Sequence, residues 1–163
     1  MLAGIVGRGA GTMIDIGFYQ LAQRRAEQVL PQLVSKALSA GHRVVIRSAD
    51  KRVLAAIDAA LWNYAAESFL PHGIEAALGP ARAQSQPVLL TDAALPAANG
   101  ADCLAQVGDD LPDDLAGLRR AMFLFDADNI ENARARWRIV AKMADAKAVY
   151  WREGEDGRFE KAA

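Results

Sequence analysis

Cys103 is the only cysteine in this chain, so no intrachain disulfide can form, as suits a protein of a reducing compartment such as the cytoplasm. Histidine is almost as scarce: His42 and His72 are the only two. No His-Glu-x-x-His, Cys-x-x-Cys or Gly-x-Ser-x-Gly occurs. A four-ligand zinc site would have to join the one cysteine, both histidines and a carboxylate with no local ligand spacing, so no metal is expected. No apolar run reaches the ~18 residues needed to cross a bilayer, and residues 1–12 lack the long apolar stretch of a secretory signal. Positive charge is not in excess either: 19 Lys and Arg face 20 Asp and Glu, a net charge of -1. That balance lacks the clustered positive charge with which proteins grip duplex DNA.

Glycine is present, but not where a nucleotide would need it. Gly7-Arg8-Gly9-Ala10-Gly11 precedes the first strand-like run, whereas a phosphate loop follows a strand and opens a helix. At the junction that does join the first strand to the first helix, Gln20-Leu21-Ala22-Gln23-Arg24, there is no glycine at all. A small nucleotide-dependent α/β enzyme is therefore the main rival reading rather than the favoured one. Carboxylates are plentiful, but nothing singles out a catalytic pair.

What is present is the composition of one globular domain, with 52% hydrophobic and 24% charged residues. Residues 1–12, with four glycines, read as a flexible leader that is not native, with Met13 as the natural start. From Met13 short apolar runs alternate with helical periods. Ile14, Ile16, Phe18 and Leu21 predict a first strand. Residues 24–40 predict a helix kinked or delayed by Pro31 and stopped by Gly41. Val44-Val45-Ile46 predicts a buried strand, and Asp50 caps a helix running to about Trp62. Residues 63–86 and 92–101 read as loops around a strand at Pro87-Val88-Leu89-Leu90. Strands follow at 103–107 and 121–125. A helix capped by Asp126 or Asp128 follows over 129–144, then a last strand at Val149-Tyr150-Trp151 and a polar tail over 154–163. Helices between short buried strands indicate an α/β layered domain with a mainly parallel sheet over 13–153, with no internal repeat and no domain boundary.

Charge is uneven along the chain. Residues 92–114 hold Asp92, Asp102, Asp109, Asp110, Asp113 and Asp114 with no Lys or Arg, whereas Arg134, Arg136, Arg138 and Lys142 follow one another without an acid. Two clusters put large apolar groups where they are not plainly core. Trp62 ends a helix, and Phe69-Leu70-Pro71 lies in a proline-bearing loop, so these residues either plug the core or form a docking patch. In the late helix Ile130, Ala133, Trp137, Val140 and Ala144 form the packing stripe. Arg134 and Arg138 neighbour Trp137 at the i, i+3 and i+4 positions. Helix geometry alone favours a core tryptophan with solvated arginines. The other reading is a notch for an acidic peptide ending in an apolar side chain and a free carboxylate, since arginine forks pair with carboxylates. The same helix is the one stretch that offers a direct single-stranded DNA binder its basic groove with stacking aromatics.

The runs Phe18-Tyr19-Gln20-Leu21, Gly41-His42-Arg43-Val44, Ile57-Asp58-Ala59-Ala60-Leu61-Trp62, Glu67-Ser68-Phe69-Leu70-Pro71-His72, Gln86-Pro87-Val88-Leu89-Leu90 and Ala133-Arg134-Ala135-Arg136-Trp137-Arg138 occur in that order. Together they resemble the chi subunit family of DNA polymerase III over roughly residues 13–151. The resemblance implies a single three-layer Rossmann-like domain without a functional nucleotide-binding loop. It implies no catalysis of its own and no cofactor, and a cytoplasmic place in the clamp-loader assembly. The implied partners are the psi subunit and the C-terminal tail of single-stranded-DNA-binding protein, with DNA met only indirectly and no membrane. Carried onto this sequence, the psi-facing patch is Trp62, Phe69, Leu70 and Pro71, and the tail site is Phe123, Ile130, Arg134, Trp137 and Arg138. The sequence departs from the family pattern in a long, Ala- and Asp-rich segment at 91–117, and in Ile130, where relatives can carry a basic residue.

Overall fold

A computed structural model describes residues 13–64, 70–108 and 111–163. The expected leader and Phe69 lie outside the described residues. In chain order the elements are β1 (Ile14–Gln20), α1 (Ala26–Ser39), β2 (Val44–Arg47), α2 (Lys51–Asn63), β3 (His72–Ile74), α3 (Pro80–Ser85), β4 (Val88–Thr91), β5 (Cys103–Val107), β6 (Arg120–Phe125), α4 (Ile130–Val140), β7 (Ala146–Glu153) and β8 (Phe159–Lys161). This is an α/β, Rossmann-like chain with a mainly parallel sheet of eight strands flanked by helices. It divides into two compact units, one formed by the chain up to Gln23 with Gln106–Ala163, the other by Arg24–Ala105.

In the second of these units β2, β4 and β3 run parallel, with Val44 opposite Val88 and His72 opposite Val88 on the other side. The apolar runs of β2 and β4 are buried throughout, from Val44 to Ile46 and from Val88 to Leu90, as parallel strands covered on both faces require. α1 buries Val29, Leu30, Val34 and Ala37 at helical spacing. Pro31 sits inside it, buried, and the helix continues through it. Gly41 closes the helix at φ +89°: its N–H donates to the Leu38 carbonyl and that of His42 to Ala37, the paired bonds of a Schellman end. The Asp50 carboxylate accepts from the Arg52 N–H at 2.9 Å and starts α2, which buries Leu54, Ile57 and Leu61.

In the other unit β6, β1 and β7 run parallel with Phe18 opposite both Phe123 and Tyr150, and β8 closes the edge antiparallel to β7. α4 lays Ala133 and Val140 into this unit's core.

Three local expectations change. The segment 63–86 is not loop throughout, because β3, a 3-10 turn at Glu75–Ala77 and α3 occupy part of it. Elements of three to six residues are too short to show a period, and Pro80 at the start of α3 reads as a loop residue although it also opens helices. The late helix ends at Val140 rather than Ala144, because i to i+3 bonds from Lys142 to Ile139 and from Met143 to Val140 tighten the chain into turns. The last expected strand is not the last. Asp156-Gly157, with Gly157 at φ +79°, turns the chain into β8.

Candidate functional site

The late-helix site is built on three strands. Because Phe18, Phe123 and Tyr150 share a register level on adjacent parallel strands, their rings lie side by side on one face. Phe18 stacks on Tyr150 with centroids 6.1 Å apart and planes 7° from parallel, and meets Phe123 edge-on at 5.9 Å. Phe125 adds a fourth ring, 5.2 Å from Phe123. Trp137 descends from α4 onto this floor, edge-on to Phe18 at 5.3 Å and to Tyr150 at 5.5 Å. Offset and edge-to-face pairs of this kind are each worth about 0.5–1.5 kcal/mol beyond the area they bury.

Trp137 is half-buried, neither sealed beneath the sheet nor wholly outside it. Arg134 and Arg138 flank it and are exposed, while Ile130, two turns toward the helix start, is half-buried. Arg134 makes a surface contact of 3.3 Å to Glu131 three residues back, a kind of pair worth little in water. Arg138 has no ion-pair partner among the described residues. Arg136 points elsewhere and is held by Asp113 at 2.8 Å. Phe123 is wholly buried and forms floor rather than surface.

The neighbourhood also contains groups that sequence reading did not bring to the site: Phe18, Tyr150, Gln20 and Arg152. Tyr150 donates its hydroxyl to Gln20 Oε1 at 2.7 Å. Burial pushes the Tyr150 phenol above its ordinary value, and the charges of Arg134 and Arg152 pull against that rise. The signal was in the alternation of Tyr150-Trp151-Arg152 along β7, which puts the tyrosine and the arginine on one face.

The Trp62 cluster lies in the unit Arg24–Ala105. Trp62 is 59% exposed, the most open large apolar side chain among the described residues. Its indole meets the His72 ring, with centroids 4.9 Å apart and planes 61° apart. The His72 imidazole is fully buried. Its Nδ1 must donate to the Leu70 carbonyl, 2.6 Å away, because a carbonyl can only accept. Nε2 lies 3.1 Å from Asp58 Oδ1 but off the line of a hydrogen bond. Asp58 and Trp62 are one turn apart on α2, so His72 pins the chain after residue 69 to that helix face. Leu70 is buried and Pro71 exposed.

At the β1–α1 junction the N–H groups of Ala22 and Gln23 both donate to Glu153 Oε1, at 2.9 and 2.8 Å. A nucleotide-binding α/β protein offers such N–H groups to a phosphate. Here a carboxylate from β7 already occupies them, which weighs against the nucleotide-dependent rival. His42 braces the turn into β2. Its Nδ1 lies 3.0 Å from Asp102, whose other oxygen accepts from the Arg43 N–H. Burial works to raise the Asp102 carboxyl, but the hydrogen bonds from His42 and Arg43 and the His42 charge outweigh it and leave it below the usual carboxylate value. No helix among the described residues is long and apolar enough to cross a membrane.

Comparison with known proteins agrees with the resemblance read from the sequence. The family model described as DNA polymerase III chi subunit, HolC, matches residues 13–145. No curated protein matches the chain.

Proposed function

The chain belongs to the DNA polymerase III chi subunit family, and from that membership we propose that it is a non-catalytic, cytoplasmic subunit of the clamp-loader assembly that bridges the psi subunit and the C-terminal tail of single-stranded-DNA-binding protein. The observation that carries this reading is the half-open Trp137 on its aromatic floor between two exposed arginines. Acidic residues of the tail are drawn to Arg134 and Arg138, and its terminal phenylalanine packs beside Trp137 and Ile130 over the buried Phe123. The aromatic wall removes apolar surface from water, and the guanidinium groups neutralise the acids. Few residues are engaged, so affinity on the order of micromolar is expected. Many tails along coated DNA turn such weak links into a tether that still lets the machine move. The psi-facing patch is carried by Trp62, Phe69 and Pro71, with the exposed indole as its centre, while the buried Leu70 offers it no open surface.

Calorimetric titration with a short acidic peptide ending in Pro-Phe tests the tail site. Arg134→Ala or Arg138→Glu weakens binding several-fold with an unchanged melting curve, and raised salt weakens it in the wild type. Unaltered binding by both variants refutes the site. Phe69→Ala keeps the tail peptide and loses the clamp-loader partner in pull-down. Tight binding of an oligonucleotide without the partner protein replaces the tether by a direct single-strand binder.

A further inference from the structure

We propose that Arg152 is a third cation of the tail site and the group that pairs with the peptide's terminal carboxylate, leaving Arg134 and Arg138 to the acidic residues before it. This deepens the tail-binding reading and rests on it. Arg152 lies beyond residues 13–145, the span that the family model matches.

The placement follows from strand geometry. Tyr150 and Arg152 are two apart on β7, so both project from the face that carries Phe18 and Trp137. Arg152 stands opposite Gln20 of β1, whose side-chain oxygen is already taken by the Tyr150 hydroxyl. Arg152 is exposed and has no hydrogen bond or ion pair with its side chain among the described residues. Glu160, opposite it on β8, is the one acid that register brings near. That carboxylate lies instead beside Gly154, 3.7 Å from where a Cβ would stand there, and makes no ion pair with Arg152.

Arg134 stands on α4 and Arg152 on β7, and the charges of both pull the Tyr150 phenol down against its burial. A C-terminal phenylalanine bears its carboxylate on the same carbon as its ring-bearing side chain. With the ring beside Trp137, the carboxylate lies within a few bonds of it, within reach of the Tyr150 edge of the floor where Arg152 stands. A guanidinium fork there can meet both carboxylate oxygens.

The test uses the full chain and two probes, the acidic Pro-Phe peptide with a free carboxylate and the same peptide amidated. Wild type binds the free acid more tightly. Arg152→Ala weakens the free acid about tenfold and leaves the amide unchanged, so the preference disappears. Arg152→Lys keeps the charge, loses the fork and restores part of the preference, and Glu160→Gln increases it. Without any peptide, Arg152→Ala also moves the Tyr150 titration further upward in ultraviolet difference spectra. If wild type binds and Arg152→Ala retains the full preference, this inference fails while the tail site stands. A wild type that binds neither probe overturns the tail reading, and this inference with it.

Discussion

Trp137 and Trp62 both stand on helices of similar length, and the protein uses them in opposite ways. Trp137 is embedded edge-on against two rings that themselves rest on Phe123 and Phe125, so its exposed part is the rim of a core. Trp62 leans on the buried His72 imidazole and shows 59% of its surface to solvent. The first arrangement holds a ring rigidly and offers only an edge and its neighbouring charges, as suits a short charged peptide. The second shows more than half of a large apolar side chain to solvent, as suits a folded partner that buries it. An exposed tryptophan with a braced orientation is a typical anchor of protein interfaces.

Substituting each tryptophan by alanine gives the largest contrast. Trp137→Ala is expected to cost about 2–3 kcal/mol in urea unfolding, less than a fully buried aromatic because the ring is half-open, and to abolish tail-peptide binding. Trp62→Ala is expected to cost less than about 1 kcal/mol, because its loss leaves no closed cavity, while pull-down of the clamp-loader partner is lost. Equal destabilisation by the two would break the distinction between rim and patch.

A smaller effect sharpens the second half of the comparison. His72→Leu removes the donor to the Leu70 carbonyl and is expected to cost about 1–3 kcal/mol. It should also shift the Trp62 emission toward that of a freely solvated indole. His72→Asn can still offer an N–H to Leu70 and should recover part of the loss. If the emission does not move in His72→Leu, the imidazole does not set the indole's position.

Much of this was legible before any coordinates. The strands at Ile14–Gln20, Val44–Arg47 and Cys103–Val107 and the Asp50 cap are local chemistry: short apolar runs, and a carboxylate before a helical period. The stripe through Ala133 and Val140 followed from spacing alone. What spacing could not decide was the state of Trp137, because a residue at the edge of a stripe is core or rim according to what the sheet beneath it provides. The answer depends on Phe18, Phe123 and Tyr150 meeting at one register level, and register is a non-local quantity. Alternation puts Tyr150 and Arg152 on one face of β7, but only the register with β1 brings that face to Phe18 and Trp137. The Glu153 clamp joins residues more than a hundred positions apart, which no local pattern announces. β8 was readable in principle, since Asp156-Gly157 is a hairpin signal, but the charges around it resemble a tail.

The smallest expected effect separates the two units by pH. In the unit Arg24–Ala105, Asp102 holds His42 and the Arg43 N–H, and its carboxyl is lowered from 3.8 despite burial, by those hydrogen bonds and the His42 charge. A lowered folded value means that the contribution is present above 3.8 and disappears as the pH falls from there through the folded value. In the other unit Tyr150 is raised from 10.0 by burial, against the pull of Arg134 and Arg152. The sign is then reversed: the contribution is present below 10.0 and disappears as the pH rises through the raised folded value. Urea unfolding followed across pH should therefore show Asp102→Asn flattening only the acid limb and Tyr150→Phe only the alkaline limb. Asp102 is partly exposed, so solvent screening keeps its effect small. An acid limb unchanged in Asp102→Asn would mean that other carboxylates carry the acid sensitivity, and that the pair with His42 fixes the geometry of its turn without adding measurably to stability.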